Sequence, residues 1–150
     1  MTFQQKNFAV SLVNFTLILI FYLFRLFQMN QNGTFIATNV FWLWGIIIVF
    51  AVVVTIAATI ITHMVVAAID RVRTGEASEI DDFKDERDDL IDLKGTKITY
   101  FLSSIGSFFA MLTYVFGQSP LIMFTLLIFF GLVAQIVGDI TRLRLYQQGF

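Results

Sequence analysis

The chain has 150 residues, of which 57% are hydrophobic, with a mean hydropathy of +0.79 and a net charge of −1. That balance excludes an ordinary soluble domain, and the lack of a basic patch argues against direct nucleic-acid binding. With no cysteine and one histidine, disulfides, thiolate metal sites, haem attachment and palmitoylation are ruled out, and neither a cofactor nor a metal is expected.

Four apolar runs follow one another, at 8–28, 40–69, 98–116 and 121–143. Each has about 19 residues or more, enough to cross a ~30 Å hydrocarbon core as a helix. Backbone polar groups have no water to bond in lipid, so such runs must form helices. The first run is too long for the apolar core of a signal peptide and lacks a small-x-small cleavage site. It carries Ser11, Asn14, Tyr22 and Arg25 on one side. Arg25 falls near its far end, where a long side chain can reach the interface. The connection that follows includes Asn32-Gly33-Thr34, a match to a glycosylation sequon.

The second run is the longest. Trp42 and Trp44 stand at its start, where indoles favour the interface, and Thr55, Thr59, Thr62 and His63 line it further on. The segment 70–97 then holds ten of the eleven acids. Gly75 is expected to interrupt the helix. From Glu79 the pattern is amphipathic, with Ile80, Phe83, Leu90 and Ile91 on one face and Asp81, Asp85, Asp88, Asp89 and Asp92 on the other. A helix is expected to about Leu93, with continuation into the third run a further option. The third run shows Thr99, Ser103, Gly106, Ser107 and Ala110. Gly117-Gln118-Ser119-Pro120 reads as a turn with Pro120 opening the fourth helix. In that helix Gln135, Asp139 and Arg142 lie beside Gly131, Ala134 and Gly138.

Basic residues orient the chain. Lys6, the six in segment 70–97, Arg142 and Arg144 flank one side, whereas the two short connections carry no charge. The expected fold is an all-α integral membrane protein forming a single domain, 1–150. Four transmembrane helices would make two antiparallel hairpins, with a cytosolic acidic amphipathic helix between spans two and three. The chain would sit in the inner (plasma) membrane with both termini cytosolic.

Two sites emerge from these patterns. Asn14, His63, Ser103, Gln135 and Asp139 all fall inside the cytosolic boundary, where polar groups are costly and usually face the bundle interior. They would form an intramembrane polar pocket, and a His63–Asp139 pair could titrate near neutral pH. The plainer alternatives are helix packing for the small and hydroxyl residues, and for the rest an interfacial histidine with an Asp139–Arg142 surface pair. The second site is Asp85, Glu86, Asp88, Asp89 and Asp92. It reads first as a solvated face, and next as a docking face for a partner, because Lys84, Arg87 and Lys94 interleave the acids. A hard divalent cation would suit Asp85, Asp89 and Asp92, but the EF-hand glycine is missing and no metal site is assigned.

Asp85-Glu86-Arg87-Asp88, then Ile91, Lys94 and Tyr100, with Leu145-Tyr146-Gln147-Gln148-Gly149 at the end, resembles a family of small prokaryotic four-span membrane proteins of unknown function. Its members show a DERD…I…K…Y segment and a YRRG-like C-terminal end. Gln147 and Gln148 stand here in place of the arginines. The resemblance covers roughly 85–150 and implies signalling, since members resemble companions of helix-turn-helix regulators.

The function expected is therefore a membrane-embedded regulatory or interaction protein that docks a cytosolic partner through its acidic helix. The alternative is a small oligomeric transporter or channel for an unidentified solute or lipid. Proton-coupled export is disfavoured because the first span lacks an acid. An enzyme is not expected, since no Gly-x-Ser-x-Gly or His-Glu-x-x-His pattern accompanies His63. Candidate partners are the lipid bilayer, a cytosolic regulatory protein and further copies of the chain.

Overall fold

The computed structural model describes residues 3–74 and 86–148, with most side chains of the second helix beyond Ala57 outside that set. The described residues form four helices: α1 (Phe3–Gln31), α2 (Ala37–Thr74), α3 (Glu86–Val115) and α4 (Pro120–Gln147). All four are long and apolar enough to cross a membrane, as in a multi-pass membrane protein. At 38 residues α2 is the longest. Residues 75–85, where Gly75, Asp81 and Asp85 fall, lie outside the described residues.

The helix ends follow from glycine and proline. Gly33 and Gly117 adopt positive φ (65° and 83°), the left-handed conformation that a Cβ disfavours. Each closes its helix in the same way. Thr34 N–H donates to the Met29 carbonyl at 2.9 Å after α1, and Gln118 N–H to the Thr113 carbonyl at 3.0 Å after α3. These six-to-one bonds satisfy carbonyls that would otherwise be left bare at a helix end. Ser119 then caps α4 by accepting from Leu121 N–H at 3.3 Å, with Pro120 in the first turn.

The acidic stretch does not form a separate helix within the described residues. Glu86 to Asp92 is the opening of α3, continuous with the span.

α4 is the central element, packed against α3 on one side and α1 on another, with a smaller contact to α2. α2 rests mainly on α1. A core of Ile18, Tyr22, Met29, Leu43, Ile47 and Leu132 joins α1, α2 and α4. The Tyr22 hydroxyl donates to the Thr125 carbonyl at 2.8 Å, so this buried phenol is satisfied across α1 and α4. Phe41, Trp44 and Phe124 stack edge to face or tilted, with centroids 5.6–5.8 Å apart, tying the start of α2 to α4. Elsewhere large apolar side chains are exposed, such as Phe101, Phe108 and Val115 on α3. In water such a surface would aggregate; in a bilayer it faces acyl chains.

Along α3 and α4 small residues set the approach. A Cβ at Gly106 would collide with the Phe130 side chain, and one at Gly138 with the Thr99 hydroxyl. Ala110 and Ala134 are buried as well. Gly131 differs: open space surrounds it, and it is exposed rather than part of the contact surface.

Candidate functional site

Polar residues from three helices converge near the start of α3 and the end of α4. Asp139 is 1% exposed. Its Oδ2 accepts from the Ser11 hydroxyl of α1 at 2.6 Å, and its Oδ1 accepts from Arg142 Nη1 at 2.9 Å. Gln135 Nε2, one turn earlier on α4, donates to Oδ1 at 3.3 Å. Both carboxylate oxygens are thus engaged, which a buried charge requires.

Arg142 is the hub. Its Nε donates to Asp92 Oδ1 at 2.9 Å, and its Nη2 to the Thr96 hydroxyl at 2.8 Å. Together with Nη1 on Asp139, every nitrogen of the guanidinium is used. The planar fork of arginine allows this; an ammonium could not reach three acceptors so disposed. The guanidinium carbon also lies 5.1 Å from the centre of the Phe8 ring, a cation–π contact from α1. Gly95 makes room for the stem, since a Cβ there would overlap Arg142 Cγ and Cδ.

One turn further, the Tyr146 hydroxyl donates to Asp88 Oδ1 at 2.7 Å. The Tyr146 ring packs beside Phe8 at 6.2 Å, and the Arg87 guanidinium carbon lies 5.9 Å from its centre. Asp88, Asp92 and Thr96 stand at i, i+4 and i+8 on α3, and Gln135, Asp139, Arg142 and Tyr146 run along α4. The two stripes meet in register. α1 completes the arrangement with Phe8, Ser11 and the buried Asn14.

Of the five residues expected to line an intramembrane pocket, the structure describes the side chains of four. Asp139 and Gln135 are bonded to each other, and Asn14 is buried on the α1 face that also carries Ser11 and Ile18. Ser103 is half-buried on α3 and takes no part in the bonds to Asp139. His63 falls within α2, but its side chain lies outside the described residues. The Asp139–Arg142 pair is buried rather than superficial, with side chains 1% and 8% exposed.

Among the acidic residues, Glu86 and Asp89 are exposed and Asp85 lies outside the described residues. Asp88 and Asp92 differ from the expected water-facing arrangement, because Tyr146 and Arg142 draw them toward α4. The Asp92 side chain remains 41% exposed, so this ion pair sits at the edge of the network while Asp139 sits inside it. The residues that sequence reasoning left out are Arg142 as a bridge, Thr96, Gly95 and Tyr146. The stripe Asp88–Asp92–Thr96 was the available signal.

Among the described residues no cluster of three or more metal-ligating side chains occurs. No family model, curated protein or solved structure matches the chain.

Proposed function

We propose that the chain is a membrane-embedded regulatory or interaction protein that meets a cytosolic partner at the acidic start of α3. The observation that carries this reading is the continuity of that acidic turn with a span that is itself bolted to α4. Asp88 and Asp92 are held by Tyr146 and Arg142, and Arg142 in turn holds Asp139. A partner pressing on Glu86 and Asp89 would act on three helices at once, because the links beneath are short and charge-assisted.

The positive-inside bias supports cytosolic termini and an inner-membrane location. The order of contacts between α3 and α4, with Tyr146 on Asp88, Arg142 on Thr96 and Phe130 at Gly106, supports an antiparallel pairing of that helix pair. Asp88 and Tyr146 belong to the two segments that resemble the small four-span family, and their bond supports treating those segments as one unit. Passage of a solute is the weaker reading, since the oxygens of Asp139 are taken up by Ser11, Gln135 and Arg142.

The test is photo-crosslinking in native membranes from a reactive residue at position 89. A discrete protein adduct is expected, reduced by Glu86→Lys and by high salt, because exposed charges steer a partner only over a screening length of ~8–10 Å. An adduct indifferent to both changes, or none, would overturn the docking role.

A further inference from the structure

At the other end of the bundle, the α1–α2 connection overhangs a cleft of about 420 Å³. Its lining changes character along the helices. Phe21 and Ile46 line it toward the middle of α1 and α2, Arg25, Gln28 and Trp42 further along, and Asn32 beside the connection, with the buried Met29 and Leu43 between them. From Phe21 to Gln28 the helix rises ~10 Å, about the depth over which a bilayer passes from acyl chain to headgroup. The polarity of the cleft thus follows that of an amphiphile standing with its head toward the connection.

Charge narrows the class. Arg25 is the only Asp, Glu, Lys or Arg between Lys6 and Asp70, and none occurs between Lys97 and Asp139. Among the described residues, no carboxylate therefore faces Arg25 at this end. Its bond is to a neutral acceptor, Gln28 Oε1, at 3.1 Å, from Nη1. Simple snorkelling explains an arginine at a helix end, but not one set in a concave rim among amides above an apolar floor. A guanidinium is suited to the oxygens of a phosphodiester, which accept from it in pairs. The ammonium of a zwitterionic head would set a second positive charge beside Arg25.

We propose that this cleft holds one anionic phospholipid, with Arg25 on the phosphodiester and Phe21 and Ile46 against the first methylenes of its chains. The apolar floor favours a lipid over a free phosphate ion. This reading is independent of the acidic turn of α3, which lies at the opposite end of α1.

Native mass spectrometry of the full chain in detergent tests it, with phosphatidylglycerol and phosphatidylcholine of the same chains titrated in turn. One phosphatidylglycerol is expected to bind roughly tenfold more tightly than phosphatidylcholine, since both offer the phosphodiester to Arg25 but choline brings a second positive charge beside it. Arg25→Gln should reduce it to the phosphatidylcholine level, while Arg25→Lys keeps part of the preference. Arg25 is exposed, so both variants should melt with the parent. Equal binding of the two lipids, or a preference that survives Arg25→Gln, would overturn the proposal. Displacement by an equal concentration of inorganic phosphate would overturn the lipid assignment and leave a site for the free anion.

Discussion

Arg142 is joined to two carboxylates and a hydroxyl, and each bond crosses or braces a helix contact. Removing its charge strands Asp139 in a place where it is 1% exposed. Breaking a buried pair from one side costs about 3–5 kcal/mol, because the remaining charge keeps its desolvation penalty. Arg142→Gln is therefore expected to lower stability by about that amount in detergent-titrated unfolding. Arg142→Lys should lose less, since a cation stays beside Asp139 but cannot also serve Asp92 and Thr96. Gly95→Ala is expected to act in the same direction, by about 1–3 kcal/mol, since its methyl displaces the arginine stem. A Gly95→Ala protein as stable as the parent would show that the stem has another way past α3. Part of this was legible in the sequence. Gln135, Asp139 and Arg142 lie within two turns of one helix, where spacing alone brings them together. Asp92 was not legible as a partner. Fifty residues separate it from Arg142, and the density of acids around it reads as a solvated face. Periodicity tells which residues share a face; it does not tell which helix that face meets.

The elements were easier to read than their contacts. The turns at Gly33 and Gly117 and the proline at 120 mark chain reversals through local backbone chemistry, so three helix ends could be anticipated within a few residues. The junction of the acidic stretch with the third span stayed open between a separate helix and a continuous one, because charged residues suit a solvated helix and the projecting end of a long span alike. Small residues were likewise ambiguous, as Gly131 and Gly138 on α4 illustrate. Both suit a helix contact by type, yet only a Cβ at Gly138 meets a neighbour. Gly138→Leu should therefore destabilise the α3–α4 contact by about 1–3 kcal/mol or more, while Gly131→Leu should be near neutral. Comparable melting shifts for the two would contradict this division. The link between the opening of α3 and the close of α4 can be isolated by a double-mutant cycle with Asp88→Asn and Tyr146→Phe. A coupling of about 0.5–3 kcal/mol is expected for residues in direct contact, and additivity would mean that the two helices are held by Arg142 without help from this bond.

For the whole molecule, hydropathy settled the solvent, and the arrangement of helices follows from where polar groups could be satisfied. α1 and α3 have 29 and 30 residues, so each is ~45 Å long, against a hydrocarbon core of ~30 Å. About 10–15 Å of each must therefore project into the interface or beyond. For α3 the excess is naturally the acidic turn from Glu86 to Asp92, since exposed carboxylates are the groups least tolerated in lipid. For α1 the excess includes Gln31 and the connection after it. If the basic bias sets the orientation, Gln31 and Gln118 face the outside and Asp89 the cytosol. The absence of cysteine from the sequence makes this directly measurable, because each introduced thiol is the only one present. Gln31→Cys and Gln118→Cys should react with a membrane-impermeant maleimide in intact cells. Asp89→Cys should react only after permeabilisation. All three positions are exposed, so each thiol is accessible wherever the aqueous phase reaches it. Labelling of Asp89→Cys in intact cells would invert the topology and place the acidic turn outside, where no cytosolic partner could meet it. Labelling of Gln31→Cys and Gln118→Cys from opposite sides would be incompatible with four crossings and would overturn the arrangement of the spans itself.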